Sequence, residues 1–292
     1  MKTCIDCIPC FFRQALEAAR LVSDDEAVAE HVLRSVAALV KDLDMDQSPP
    51  EMGQKIHRIV RERVGMDDPY RGIKQTFNEA ALKLYPEMRR LIGASEEPLG
   101  TAVRLAIAGN IIDFGVNGGV QDGDLERSIR QCLAAHFADG QLAAFKRAVN
   151  EAEDILYLAD NAGEIVFDRL LIELLPVERV TVAVKGRPII NDATMEDAIV
   201  AGLPQIVEVI DNGDDAPGTV AEACCQEFRR RFARADLVIA KGQGNFETLS
   251  EADKHIFFIL RAKCPVIAMH LACPIGTSVL LEHKASERRL VN

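Results

Sequence analysis

The sequence lacks the features that mark membrane, secreted and nucleic-acid-binding proteins. No apolar run approaches the roughly 20 residues that a membrane-spanning helix needs, and the start of the chain, MKTCIDCIPC, has no long apolar stretch of a secretory signal. Basic residues number 34 against 45 acidic ones, and the formal net charge is −11. Nucleic-acid binding requires clustered Lys and Arg, whereas the only dense group, residues 229–234, fits an exposed helix face better. We therefore expect a cytoplasmic protein that binds neither a membrane nor nucleic acid.

The eight cysteines do not predict a disulfide framework, because five of them are dispersed along the chain. The other three, Cys4, Cys7 and Cys10, are clustered at its start and indicate a second metal site or a redox site. Zinc or an iron–sulfur cluster needs about four ligands, and only three are local. A CxxC pair at the beginning of a helix suits redox chemistry, because the helix dipole lowers the thiol pKa. Both alternatives, and three thiols without a role, stay open.

Residues 1–150 are predicted to form an all-helical region. Apolar residues recur at spacings of three and four, for example Val28, Val32, Val36 and Leu39. Ser23 followed by Glu26 is a capping-box pattern, which predicts that a helix begins at Ser23. The prolines at positions 49 and 50 predict the start of another helix. No strand pattern is found in this region.

Residues 151–292 follow a different pattern, in which short apolar segments alternate with helical ones. Five segments rich in β-branched residues are predicted to be strands, namely DILYLAD, RVTVAVKG, QIVEVIDNG, ADLVIAKG and PVIAMHL. Apolar strands that alternate with helices form a parallel sheet covered on both faces. The sequence therefore predicts an α/β fold, with a Rossmann-like three-layer α/β/α domain and a mainly parallel sheet after the helical region.

Polar residues collect where the predicted strands end. Asp160 and Asn161 follow the first strand, Asp192 follows the second, and Lys241 and Asn245 follow the fourth. A single Asp in such a place is often a helix cap, but this edge of an open parallel sheet binds ligands, and its density of oxygen donors indicates a site. Carboxylate and amide oxygens suit Mg²⁺, Mn²⁺ or a similar ion.

The loop that begins at Lys241 is rich in glycine and is suited to meet a phosphate. It is neither a Walker A motif nor G-x-G-x-x-G, which argues against a nucleoside triphosphatase and a standard dinucleotide site. The acidic surface repels phosphorylated ligands at long range, so a phosphate site here requires a metal and a local lysine.

One apolar helical segment, GTAVRLAIAGNIIDFGV, carries Asn110 and Asp113 on the same face. A buried Asn and Asp need hydrogen-bond partners. The pair therefore indicates either a structural contact between helices or a helix that lines the cleft and contacts the substrate or its water.

The motifs CIDC, GNIID, LADNAGE, PIINDAT and KGQGN occur in this order. On these motifs the chain resembles the metal-dependent damage-control phosphatases, also called the domain of unknown function 89, from its CxxC start to residue 269. The resemblance implies a helical N-terminal region on a Rossmann-like domain. It also implies the hydrolysis of small phosphometabolites with Mn²⁺, Co²⁺, Ni²⁺ or Mg²⁺.

The resemblance implies roles for single residues as well. Asp160 and Asn161 correspond to the family's metal pair and Asp192 to its third ligand; Lys241 and Asn245 correspond to the loop on the phosphate side, and Asn110 and Asp113 to a helix facing the same cleft. The eukaryotic branch has an Arg-Thr-x-Lys motif, whereas this chain has RAKC at residues 261–264. The sugar-phosphate specificity of that branch is therefore not implied.

We expect a phosphoric monoester hydrolase in which Lys241 stabilises the phosphoryl charge and metal-activated water, oriented by Asp113 or Asn110, attacks in line. The alternative is a phosphorylated Asp160, as in haloacid-dehalogenase phosphatases, but these use Asp-x-Asp and the second position along is Ala162. Two other functions stay open. One is an S-adenosylmethionine-dependent carboxyl methyltransferase, and the other is a non-enzymatic metal-binding scaffold organised by the N-terminal cysteines.

Overall fold

A computed structural model describes residues 1–109 and 129–284. Its helices are α1 (Cys7–Val22), α2 (Glu26–Lys41), α3 (Pro49–Val64), α4 (Arg71–Gly93), α5 (Pro98–Ala108), α6 (Gln141–Glu151), α7 (Glu164–Ile172), α8 (Met195–Val200), α9 (Gln226–Arg234), α10 (Gly242–Leu249) and α11 (Pro265–His270). Its strands are β1 (Ile155–Leu158), β2 (Val180–Val184), β3 (Glu208–Asp211), β4 (Leu237–Lys241), β5 (Ile256–Arg261) and β6 (Ser278–His283). None of the described helices is long and apolar enough to cross a membrane.

The beginning of α2 differs from the prediction at Ser23. Asp25 is the N-cap, because its side chain accepts a hydrogen bond from Ala27 N. Ser23 instead ends the preceding helix, since its backbone N–H donates to Ala19 O. The start of α3 follows the prediction, and Ser48 and Glu51 add a reciprocal capping box there.

The six strands form one sheet in the order β3-β2-β1-β4-β5-β6. The first five are parallel, and β6 pairs with β5 in the antiparallel direction. The predicted α/β fold with a mainly parallel sheet is confirmed. The first four predicted strands are present in the sheet, each within its predicted segment.

The fifth predicted strand is wrong. The segment PVIAMHL contains helix α11, for which Cys264 is the N-cap and Pro265 lies in the first turn. The fifth strand is IFFILR, a segment nearer the N-terminus. Apolar periodicity does not separate a short buried helix from a strand, whereas a cap followed by proline is a helix signal.

Both faces of the sheet are buried. Along β1, Ile155 and Tyr157 face one hydrophobic core, and Leu156 and Leu158 face the other. Helices α4 to α8 contribute to the first core, and α1 to α3 and α9 to α11 to the second. The helical region therefore supplies layers on both sides of the sheet, and the division of the chain into residues 1–150 and 151–292 stays a prediction.

The strand order places the switch point of the sheet at the carboxyl ends of β1 and β4. The chain runs outward from β1 to β2 and β3 on one side, and β4 then pairs with β1 on its other side. At such a reversal the loops after the two central strands diverge, which is where open α/β sheets bind ligands.

Candidate active site

Two loops bring the predicted metal ligands together. The loop after β1 pairs with the loop after β2 through hydrogen bonds from Ala162 N to Asn191 O and from Ala193 N to Asp160 O, each 2.8 Å long. These bonds form an isolated antiparallel bridge between Asn161 and Asp192. Asp160, Asn161 and Asp192 therefore lie at one point of the sheet edge although the two loops are about thirty positions apart in sequence.

The Asp160 carboxylate lies against the beginning of α10. Gly242, the first residue of this helix, has a φ of +80°, and a β-carbon at this position would overlap the Asp160 carboxylate. Asn161 Nδ2 donates to Asp160 Oδ2 over 2.7 Å. Burial and the nearby Glu164 and Asp192 raise the pKa of Asp160 well above its usual value. Part of the residue stays accessible, as a ligand of an exchangeable ion needs.

Asp192 is more deeply buried, with 4% of its surface exposed. Its Oδ2 lies 3.5 Å from Lys185 Nζ, which allows an ion pair, yet this oxygen has no hydrogen-bond partner among the residues described. Burial raises the pKa of Asp192 to about 6, although the Lys185 ammonium opposes this effect. A buried carboxylate oxygen without a hydrogen bond is costly unless a cation or a water occupies its other side.

The three residues fit a divalent cation with hard oxygen ligands. Asp192 raises the pKa of Asp160 by its charge, and one buried oxygen of Asp192 accepts no hydrogen bond, so the two carboxylates provide negative charge that a cation would neutralise. The described residues contain no group of three or more His, Cys, Asp or Glu side chains that could hold a metal. A cation held here by protein side chains would therefore need the Asn161 amide as its third ligand.

Lys241 does not point toward this ligand set as the sequence predicted. Its side chain is completely buried, and Nζ donates to Ala106 O over 2.9 Å, to Glu164 Oε1 over 2.6 Å and to Asp168 Oδ1 over 2.5 Å. Burial alone would lower the pKa of the ammonium, but the two carboxylates outweigh it and raise that pKa. We expected Lys241 to contact phosphate directly, but its position does not support this contact. The ammonium is buried among Ala106, Glu164 and Asp168.

Asn245 also serves the loops in the structure. Its Nδ2 donates to Lys241 O over 2.8 Å, and its Oδ1 accepts from Thr219 Oγ1 over 2.7 Å. Both ends of the buried amide are thereby used within the protein. Asn245 connects the start of α10 to the loop before α9, and its predicted contact with substrate stays a prediction.

Three charged residues near the site were missed as functional residues. Glu164 accepts from Asn161 Nδ2 over 2.9 Å, Lys185 lies beside Asp192, and the exposed Lys263 lowers the pKa of Asp160 through its charge. Glu164 and Lys185 follow the first two strands, so the rule that found the aspartates includes them. Lys263 follows β5, the strand that the sequence pattern did not reveal.

Helix α4 contacts the loops after β1 and β2 through side-chain hydrogen bonds. Asn78 Oδ1 accepts from Gly163 N over 2.7 Å, and its Nδ2 donates to Asp197 Oδ1 over 2.8 Å. Lys74, one turn earlier, lies 2.9 Å from Asp197 Oδ2 and lowers the pKa of Asp192 by its charge. Two polar residues four apart on a helix are the only sequence signal for this contact.

Asn110 and Asp113, predicted to face the cleft, lie outside the described residues. Of the N-terminal cysteines, Cys4 and Cys7 are neighbours with their Sγ atoms 3.5 Å apart. The Cys10 thiol accepts instead from Arg13 and Gln14 on its own helix. The absence of a three-residue metal cluster from the described ranges gives no support to metal binding by these cysteines, and redox chemistry of Cys4 and Cys7 stays a prediction.

Known proteins resemble the chain over nearly its whole length. A model of the damage-control phosphatase ARMT1-like domain matches residues 3–279. A damage-control phosphatase of Pyrococcus horikoshii is 37% identical over 290 residues, which are 97% of this chain and 99% of that protein. A damage-control phosphatase of Archaeoglobus fulgidus is 35% identical over 286 residues, 96% of this chain and 98% of that protein. The crystal structure of a DUF89 family protein from Pyrococcus horikoshii matches with a TM-score of 0.87 at 36% identity, and the match covers 97% of this chain and 100% of that chain.

Proposed function

Because the chain belongs to the damage-control phosphatase ARMT1-like family, we propose that it hydrolyses small phosphorylated metabolites with a divalent cation held by Asp160, Asn161 and Asp192. Its phosphatase class follows from the family. The cation, the phosphomonoester substrates and the roles of single residues are the proposed parts. Mn²⁺, Co²⁺, Ni²⁺ and Mg²⁺ are the candidate ions, since all of them accept hard oxygen ligands.

The observation that carries the cation is the buried oxygen of Asp192 that accepts no hydrogen bond and lies beside a second carboxylate. Lys185 is the nearest ammonium to this oxygen, but its Nζ also donates to Gly218 O. The lysine therefore compensates part of the charge and holds Asp192 in place. A divalent ion held by Asp160, Asn161 and Asp192 would neutralise the remaining charge.

The cation and the residues near it are assigned different roles in the proposed reaction. When bound, the cation lowers the pKa of water and neutralises phosphoryl charge. Asp160 is partly accessible to solvent, and the exposed Lys263 brings positive charge near its carboxylate. We assign to Lys263 the phosphate contact predicted for Lys241, since only Lys263 of the two is exposed to solvent.

Water rather than Asp160 is the proposed nucleophile. Asp160 Oδ2 already accepts the Asn161 amide, and its backbone C=O is bonded to Ala193 N. These contacts restrain the position of Asp160 and support its assignment as a ligand of the cation. Orientation of the attacking water by Asp113 or Asn110 remains part of the proposal.

Neither other function is favoured by a feature of the site. The loop after β1 contains Asp160 and Asn161 with one glycine, Gly163, which suits a metal better than the ribose and methionine parts of a methyl donor. A scaffold built on the N-terminal cysteines would leave the carboxylates at the sheet edge without a purpose.

The test measures phosphate release from a panel of phosphometabolites, with and without each of the four ions. Asp192→Asn keeps the shape of the ligand but removes its charge, so kcat/KM should fall by about 100-fold or more. Asp211→Asn changes an exposed aspartate, the last residue of β3, and should retain activity. If the folded protein released no phosphate with any ion from a broad panel, the proposal would fall.

A further inference from the structure

The orientation of the Asn161 amide is fixed by its surroundings. Nδ2 donates to Asp160 Oδ2 over 2.7 Å and to Glu164 Oε2 over 2.9 Å. The Glu164 carboxylate, which is paired with the Lys241 ammonium, accepts hydrogen bonds, so the reverse orientation would place the amide oxygen against a negative oxygen. The carbonyl oxygen must therefore face away from both carboxylates, as a metal ligand would.

Glu164 is itself held by the buried Lys241. The lysine Nζ lies 2.6 Å from Glu164 Oε1, and the other carboxylate oxygen is the one that contacts Asn161. The ammonium is fixed in turn by Ala106 O and Asp168 Oδ1. Glu164 and Lys241 are almost completely buried, so neither side chain is free to change its rotamer.

The charges of this cluster are not explained by folding alone. Lys241 and Asp168 would form a neutral pair without Glu164. The second carboxylate adds a negative charge at a residue that is 1% exposed, and this charge raises the pKa of Asp160. Burying an additional charge is costly, and a structural ion pair does not require it.

We propose that Glu164 is the positioning residue of the metal site and that Lys241, by clamping Glu164, directs the Asn161 carbonyl oxygen toward the cation. The inference rests on the proposed function, because it assumes a cation at Asp160, Asn161 and Asp192. In this inference the lysine of the KGQGN motif acts on the metal ligand Asn161 through Glu164, which contacts both residues. Residues that orient a ligand typically change metal affinity by about 10–100-fold.

The experiment titrates the metal-free protein with Mn²⁺ alone in a calorimeter. Glu164→Gln keeps the shape and leaves the Lys241–Asp168 pair, while Glu164→Asp keeps the charge but is too short to reach both partners. Both variants should bind Mn²⁺ more weakly by about 10-fold or more. Asp168→Asn is a comparison within the cluster: it removes the other carboxylate of the same ammonium without contacting Asn161, so it should weaken Mn²⁺ binding less than Glu164→Asp does. Glu227→Asp, the same shortening at an exposed glutamate in the first turn of α9, is the matched control and should bind Mn²⁺ as wild type does.

The dependence on Asn161 is tested in a double-mutant cycle. Once Asn161→Ala has removed the amide, adding Glu164→Asp should weaken Mn²⁺ binding much less than it does in the wild-type protein. Circular dichroism of each variant establishes whether it is folded. If Glu164→Gln is not folded, the Mn²⁺ affinity of Glu164→Asp alone tests the inference.

Four results would overturn the inference. Wild-type affinity in Glu164→Asp would mean that charge rather than position matters. Equal losses in Asp168→Asn and Glu164→Asp would indicate a general effect of the cluster, and a full loss in the Asn161→Ala background would exclude action through Asn161. A wild-type protein that binds Mn²⁺ but hydrolyses nothing would defeat the proposed function and leave the inference standing. A wild-type protein without Mn²⁺ binding would remove the cation and, with it, the inference.

Discussion

At the scale of single residues, the lack of a side chain at Gly242, the first residue of α10, leaves space for the Asp160 carboxylate. Its φ of +80° is unfavourable for any side chain, and a β-carbon would occupy the position of the Asp160 carboxylate. Gly242→Ala should therefore displace Asp160 and lower phosphatase activity by about 100-fold, since a shift of about 1 Å in a reacting group has effects of that size. The measurement is kcat/KM at saturating metal.

Gly65→Ala is the matched control for that substitution. Gly65 has a φ of +67°, close to that of Gly242, but a β-carbon there would have no neighbour within 4 Å. It should cost about 1 kcal/mol of unfolding free energy for the backbone conformation and leave activity unchanged. Similar activity in the two variants would contradict the assigned contact between Gly242 and Asp160.

The positions of polar residues directly after the predicted strands identified the candidate ligands from the sequence. They did not predict in which direction the lysine side chains point. Asp160, Asn161 and Asp192 were found because the carboxyl ends of parallel strands share one edge. Lys241 was placed in the cleft because a loop of glycines follows it. The alternation of side chains along a β-strand predicts the direction of Lys241 correctly. Lys241 lies on the same face of β4 as Leu237 and Ile239, which belong to the core, so its side chain enters that core.

At the scale of elements, helix α4 and the loop after β1 are joined by Asn78. Its two buried hydrogen bonds reach Gly163 and Asp197, in the loops after the first two strands. Asn78→Ala leaves the Gly163 N–H without its acceptor, so the unfolding free energy should fall by about 2 kcal/mol. Because Gly163 follows two positions after Asn161, Mn²⁺ affinity should fall as well.

Denaturant unfolding and Mn²⁺ titration measure these two effects. Asn150→Ala, at an exposed asparagine near the end of α6, is the control and should change the unfolding free energy by less than about 0.5 kcal/mol. An Asn78→Ala protein that loses stability but binds Mn²⁺ normally would show that α4 supports the fold without positioning the ligands.

The elements that were predicted correctly are those with an unambiguous pattern. Four of the parallel strands are short and are followed by a polar loop, and three of them are mainly apolar, so their identity is set by local sequence. The segment around Ile256–Arg261 follows β4 after one short helix and has no polar loop signal of its own. Its neighbour, Pro265–His270, has the apolar content of a strand, and only the cap and the proline distinguish it. Long-range pairing with β4 and β6, which local sequence does not encode, decides that IFFILR is the strand.

At the scale of the whole molecule, Lys241 joins parts of the chain that are far apart in sequence. It lies in β4, and its ammonium contacts Ala106 in α5 and Glu164 and Asp168 in α7. The two hydrophobic cores likewise combine helices of the first 108 residues with strands of the sheet. We therefore expect the helical region and the sheet to unfold together.

Lys241→Met should lower the unfolding free energy by about 3–5 kcal/mol, because it leaves buried carboxylates without their cation. Burial raises the pKa of Asp168 to about 6 even though the charge of Lys241 lowers it, so without the lysine this pKa rises further. An unfolded aspartate titrates near 3.9. The folded value is the higher one, so this group's contribution is fully present below about pH 4 and is lost as the pH rises through the folded pKa.

The effect of Lys241→Met should consequently be smaller at pH 5 than at pH 8. At pH 5 the isolated Asp168 takes up a proton in the folded chain, whereas at pH 8 it must either lose that proton against burial or retain it at a cost in free energy relative to the unfolded chain. Denaturant unfolding followed by circular dichroism at both pH values measures the difference. Lys83→Met, at an exposed lysine of α4, should change the free energy by less than about 0.5 kcal/mol at either pH. A deficit that is the same at pH 5 and pH 8 would contradict the prediction, because it would mean that the protonation of Asp168 does not depend on the Lys241 ammonium.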